Sequence, residues 1–247
     1  MSPVLEVSSV SLVIDGRKIL DDVSFSVEKG SFTVLAGKNG AGKSQLLKII
    51  KGLKKPSSGT IAIKGEDVTK SRQKRLSSVG LVFQNSDLQF VGETVEKDIM
   101  FGPENLGWDR DRIRAKTEEM LNLFSLTELR NRRPSTLSGG EKRRLAIAGV
   151  LAMEVDIVFL DEPFTALDTP SVMTLLDTLI SLHEKGVTLV VVSHETERFL
   201  AHTDRVIILN RGRKVFDGPS EESLDELRKN DVYLPPLPFR SLTWKAT

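Results

Sequence analysis

The 247-residue sequence contains no cysteine. That excludes disulfides and thiolate metal sites, and it fits a reducing cytoplasm without requiring one. A charge excess is missing as well. Thirty-five Lys and Arg stand against 34 Asp and Glu, a net charge of +1, so the overall balance carries no electrostatic footprint for nucleic acid. Long apolar runs are also absent: the longest, at residues 187–192 and 206–209, suit buried strands and are far too short to cross a bilayer. Residues 1–10 show no basic region followed by an apolar core, so no secretory signal is expected, and any membrane role must come through a partner. With 39% hydrophobic and 28% charged residues, the chain can bury a sizeable core.

What the sequence does have is Gly37, Lys38, Asn39, Gly40, Ala41, Gly42, Lys43 and Ser44 in succession. An apolar run at 32–36 precedes them and a helical pattern from Gln45 to Ile50 follows, so the motif sits where a strand turns into a helix. Glycines at 37, 40 and 42 let the backbone take positive φ and approach an anion closely, its N–H groups turned inward, with the helix N-terminus adding its dipole. This is a phosphate-binding loop. Lys43 is placed to reach β- and γ-phosphates, and the Ser44 hydroxyl to ligate Mg²⁺.

Around that loop the chain alternates strands and helices. Residues 4–14 and 19–27 read as antiparallel strands, 60–64 as part of a hairpin, and 79–83 as a core strand that delivers Gln84 to its carboxyl end. Residues 93–99, 109–124 and 127–130 read as helices of an insertion. Leu137, Ser138, Gly139, Gly140 and Glu141 then open a helix through Leu151, with Ser138 as N-cap and Glu141 completing a capping box. The strand at 157–160 runs into Asp161 and Glu162. Thr169 and Pro170 are expected to cap the next helix, and the strand at 187–192 ends in Ser193 and His194. A hairpin follows at 205–216, then a short charged helix at 220–230 and a tail rich in proline. The lysines of 51–55 and the basic stretch 70–75 read as solvated faces. The fold expected is α/β, with a mainly parallel sheet, helices on both its faces, an antiparallel β subdomain and a helical insertion.

In order, the chain carries the phosphate loop, Gln84, the Leu-Ser-Gly-Gly-Glu start, Asp161-Glu162-Pro163, Ala166-Leu167-Asp168 and His194. That set resembles the ABC ATPases, and the resemblance covers about residues 7–218. It implies an ATPase domain at 1–218, with a helical subdomain at about 85–152 inserted in a RecA-like core, followed by a helix and proline-containing tail at 219–247. By the same resemblance, Asp161, Ser44 and Gln84 hold Mg²⁺, and Glu162 polarises the attacking water. Gln84 and His194 act with Glu162, while Gln45 stands where threonine is more frequent after the loop. Residues 137–141 complete the nucleotide site of a second ATPase chain head to tail, with Asp168 in the contact. The aromatic that often stacks on adenine falls near Ile14, which offers only apolar contact.

Phe101-Gly102-Pro103-Glu104-Asn105, Ala146-Ile147-Ala148-Gly149 and residues 79–85 resemble the energy-coupling-factor ATPases, including cobalt-type ones. That implies ATP and Mg²⁺, a second ATPase chain, an integral membrane scaffold and a substrate-binding membrane subunit for a vitamin or transition-metal ion. It also implies a place on the cytoplasmic face of the membrane and no nucleic-acid partner. Alternatives are the ATPase of an importer fed by a free binding protein, a non-transport ABC ATPase acting on nucleic acid or ribosomes, and a regulatory protein with little turnover. The substrate is not legible, nor is homodimer against heterodimer. The tail at 233–238 resembles the proline-containing end of energy-coupling-factor ATPases.

Overall fold

In the computed structural model, which describes residues 3–245, the chain forms ten strands and seven α-helices. Residues 1–2 and 246–247, the outer ends of the expected ATPase domain and tail, lie outside it. Strands β1 (Pro3–Ile14) and β2 (Arg17–Glu28) lead into β3 (Phe32–Ala36) and α1 (Lys43–Lys51). Next come β4 (Ser58–Ile63), β5 (Glu66–Asp67), α2 (Arg72–Ser78) and β6 (Val79–Val82). Helices α3 (Val95–Asn105), α4 (Arg110–Leu123) and α5 (Gly139–Leu151) follow, then β7 (Ile157–Asp161), α6 (Thr169–Glu184) and β8 (Leu189–Ser193). The chain closes with β9 (Arg205–Asn210), β10 (Arg213–Pro219) and α7 (Leu224–Lys229).

One sheet has the order β10-β9-β3-β8-β7-β6, parallel throughout except for the β9–β10 hairpin at its edge. Its central strands are apolar on both faces, as parallel strands must be when both sides are covered. Alternate residues therefore feed two cores. Phe32, Val34, Val158, Leu160, Leu189 and Val191 face one, with α5 and α6. Leu35, Ile157, Phe159, Val190 and Val192 face the other. That second core is roofed by α1 and by an antiparallel sheet of order β2-β1-β4-β5, so the two faces are covered by different layers rather than by helices alone. In α1, Leu46, Leu47, Ile49 and Ile50 are all at most 2% exposed, and full burial of each side chain contributes about 1.5–3 kcal/mol.

Several boundaries differ from the sequence reading. Asp168, not Thr169 or Pro170, caps α6, because its carboxylate accepts from Ser171 N at 3.1 Å and Pro170 occupies the first turn, where no N–H is needed. Residues 127–130 close as a single 3₁₀ turn, Thr127–Leu129, too short to repay helix nucleation. The 220–230 helix divides into a 3₁₀ turn, Ser220–Ser223, and α7. Helix α3 runs on past Ile99 through Pro103 to Asn105, and the bare backbone of Gly102 admits Met153, whose Cγ would stand 2.5 Å from an added Cβ.

The basic stretches are not uniformly solvated. Lys51 donates from Nζ to Leu76 O at 2.8 Å and also to Val79 O, while Arg75, 2% exposed, donates to Ile49 O at 2.6 Å and Thr69 O at 2.9 Å. Both cations bond backbone carbonyls at the end of α1, before and within α2, and at the start of β6. The tail also packs. Val232, Leu234 and Leu242 are buried, the Trp244 ring lies under the Arg198 guanidinium at 4.5 Å, and the Trp244 backbone N–H donates to Arg198 O at 2.8 Å.

Candidate functional site

Because β3, β6, β7 and β8 run parallel, their carboxyl ends share one sheet edge, the place where α/β sheets bind ligands. Each end passes into polar residues. β3 delivers the glycine loop. A Cβ at Gly37 would stand 2.2 Å from Leu209 O, and one at Gly42 would stand 2.7 Å from Leu20 Cδ2; φ is +146° and +103° at the two positions. Only glycine fits there. Helix α1 then begins with no side-chain cap, whereas Thr94, Asp109, Ser138 and Asp168 cap α3, α4, α5 and α6. The first-turn N–H groups of α1 are left for a ligand, at the positive end of the helix.

Lys43 is 6% exposed and curls over the loop, donating to Gly37 O at 2.5 Å and Lys38 O at 3.2 Å, with Nζ 4.0 Å from Glu162 Oε1. Burial pulls its ammonium below the ordinary lysine range, and the carboxylates of Glu162 and Asp161 oppose that shift. At the end of β7, burial raises the Asp161 carboxyl above the usual range, while a hydrogen bond from Ser44 works the other way and the Glu162 charge adds to the rise. A hydroxyl and a carboxylate thus meet beside the loop. Such hard oxygen donors fit Mg²⁺, a cation held by a few protein oxygens together with substrate phosphates.

Glu162 is held more tightly than its neighbours. It is 7% exposed and adopts φ +47°, a left-handed conformation that costs a non-glycine residue about 1–3 kcal/mol. Its N–H donates to Val192 O at 2.8 Å. One carboxylate oxygen lies 2.7 Å from His194 Nδ1 and the other accepts from Ser193 Oγ at 3.0 Å. Gln84, two residues beyond β6, is exposed and lines a cleft with Glu162, His194 and residues 38–45. The apolar wall of this cleft is Ile19, from the start of β2, rather than Ile14, which pairs with Arg17 at the tip of the β1–β2 hairpin.

The structure gathers Lys38, Asn39, Gly40, Ala41, Gly42, Lys43, Ser44, Gln45, Gln84, Glu162 and His194 around one cleft. It does not bring residues 137–141 there. Ser138 forms its capping box with Glu141, accepting from Glu141 N at 3.3 Å and donating its own N–H to Glu141 Oε2 at 2.7 Å. Ser138 and Gly139 are exposed, Leu137 and Gly140 buried, and a Cβ on Gly140 would stand 2.6 Å from Ser171 Oγ. Asp168, exposed, caps α6 beside them.

Sequence reasoning assigned no role to Arg143, although the guanidinium of this residue reaches the backbone of Gln84. Nor did it anticipate the ion pair of Lys38 with Asp231 of the tail, at 2.7 Å. Neither residue stands out in a chain this rich in charge, and only folding brings the partners together.

The family model described as ABC transporter matches residues 20–165. The energy-coupling factor transporter ATP-binding protein EcfA of Methanoculleus marisnigri is 41% identical over 230 residues, 90% of this chain and 83% of that protein. EcfA2 of Clostridium tetani is 39% identical over 217 residues, 85% and 75% of the two chains. Among solved structures, cbiO1 of Clostridium perfringens, described as part of the ABC transporter complex cbiONQ, superimposes with a TM-score of 0.84 at 31% identity over 95% of this chain and 97% of that one. The ATP-binding cassette MJ1267 shares the fold, with a TM-score of 0.85 at 23% identity. The chain belongs to the ABC transporter ATPases, in their energy-coupling-factor branch, and is an ATPase coupled to transport.

Proposed function

We propose that this chain binds and hydrolyses ATP as one of a head-to-tail pair of ATPases, energising an importer of a vitamin or transition-metal ion. The observation that carries the reading is the division of anion-binding groups. One uncapped helix start sits in the cleft with Lys43, while the capped start of α5, with Ser138 and Gly139 exposed, lies outside it. A second chain's nucleotide supplies the phosphate that Ser138 and its neighbouring amides lack, and Asp168 meets that chain.

In the cleft, residues 37–45 hold the phosphates, and Lys43 exchanges its two carbonyl partners for phosphate oxygens. Ser44, Asp161 and Gln84 would hold Mg²⁺, which would supply positive charge to offset that of the phosphates. Glu162 orients and deprotonates the attacking water, and His194 fixes the Glu162 carboxylate. Loss of the γ-phosphate removes the charge between the two chains and lets them part.

Residues 85–152 form the insertion that receives the membrane scaffold. Its groove, lined by Val91, Met100, Phe101 and Glu104, carries exposed apolar surface, with Phe101 42% and Val91 61% exposed. No helix among the described residues is long and apolar enough to cross a membrane. In this reading the chain attaches to the cytoplasmic face through that groove. Mild-detergent affinity purification from native membranes tests the reading. Recovery of a scaffold, a second ATPase and a small membrane protein supports it; recovery of soluble or nucleic-acid-bound partners alone overturns it.

A further inference from the structure

Arg143 lies in the second turn of α5 and is 5% exposed, an unusual depth for a guanidinium. It points away from its own helix and donates from Nη1 to Phe83 O at 2.8 Å and from Nη2 to Gln84 O at 3.0 Å. These carbonyls belong to the first two residues after β6 ends at Val82, where the sheet no longer supplies partners. Beside this fork, Phe83 N donates to Gln89 Oε1 at 3.2 Å and Lys142 pairs with Asp87 at 2.7 Å. The backbone under Gln84 is therefore fixed to α5, while its side chain stands free in the cleft.

The helix that holds Gln84 is the helix that opens at Ser138. Arg143 is five positions on from Ser138, a rise of roughly 7.5 Å at 1.5 Å per residue. A planar guanidinium bonded to two successive carbonyls sets the plane of the backbone as well as its position, which a lysine point charge does not. A displacement of α5 at Ser138 must carry Arg143 with it, and Arg143 carries Gln84.

We propose that Arg143 is a positioning residue for Gln84, linking Gln84 in the chain's own nucleotide site to the Ser138 end of α5, which meets the nucleotide of the second chain. The assignment rests on the proposed roles of Gln84 and Ser138 in an ATPase pair.

A double-mutant cycle on the assembled transporter tests it, with ATP turnover measured for Arg143→Met, Gln84→Ala and the double variant. Arg143→Met lowers kcat about 10- to 100-fold, the scale of a catalytic group displaced by an ångström, with KM for ATP changed less than about 2-fold. The double variant is no slower than Gln84→Ala alone, and both singles raise the Mg²⁺ concentration needed for half-maximal rate. Arg143→Lys restores part of the rate. Where the methionine variant does not fold, Arg143→Gln carries the cycle, with its thermal midpoint as the check on folding. Independent effects that multiply in the double variant overturn the role of Arg143 while leaving that of Gln84 standing. Parental turnover in Gln84→Ala overturns both.

Discussion

His194 Nδ1 lies 2.7 Å from Glu162 Oε1, so the carboxylate at the end of β7 is oriented by the residue just past the end of β8. The parallel pairing of those two strands sets the distance, with Asp161 opposite Val192 in register. In His194→Ala, one oxygen of the buried Glu162 carboxylate loses its hydrogen-bond partner. We expect kcat to fall by about 10²-fold or more, the usual scale for general-base catalysis, with little change in ATP affinity. Ser193→Ala should cost less, since Ser193 Oγ also donates to Glu195 O at 3.2 Å and so divides its bonding. Steady-state ATPase kinetics on the two variants check the order; a larger loss in Ser193→Ala contradicts it.

Gly140→Ala is expected to destabilise the protein through one contact. The added methyl meets Ser171 Oγ at 2.6 Å and Ser171 Cβ at 3.0 Å, whereas Ser171 Cα lies at an ordinary 3.9 Å. Overpacking of this kind costs about 1–3 kcal/mol. Adding Ser171→Gly should recover most of the loss in a denaturant titration, because it removes the crowded Oγ and Cβ while the backbone N–H of residue 171 still donates to Asp168. Failure of the second substitution to recover stability would place the strain elsewhere.

Lys51 gives a pH dependence with a definite sign. Burial pushes its ammonium down from 10.5 to about 8. Between those values the unfolded chain binds more protons than the folded one, so this group's contribution to stability rises with pH across that window. Below about pH 8 both states are protonated and the cost of burying the charge is fully present. The thermal midpoint of the parent should therefore gain on that of Lys51→Met as pH increases from 8 towards 10.5. A difference that stays flat contradicts the burial of this charge.

Much of the site was legible because local chemistry names it. The loop 37–44 needs glycines wherever backbone must pass close, and the capping box at Ser138 and Glu141 is closed by residues three apart. The polar residues after β6, β7 and β8 were legible for a related reason: short β-branched runs ending in a charge or amide have few other uses. What stayed hidden depends on partners far apart in the chain. Arg143 bonds a carbonyl 60 residues away, and Lys51 bonds one 28 residues away, so their burial could not be read from neighbours. Ile14 and Ile19 flank one hairpin and are similar in chemistry; which of them lines the cleft is decided by hairpin register. Packing of the tail against Arg198, Ala201 and His202 likewise arises only when the chain is folded.

The most direct test of the account is Glu162→Gln, which keeps the shape of the side chain and removes its basicity. The measurement is ATP turnover together with the molar mass in solution, each with Mg²⁺ and ATP present. We predict that hydrolysis falls by about 10²–10⁴-fold while ATP still binds, and that the 27.4 kDa chain is held as a dimer only when ATP is present. A variant that hydrolyses ATP at the parental rate and shows no ATP-dependent change in mass would contradict both the role given to Glu162 and the pairing of two chains around the nucleotide.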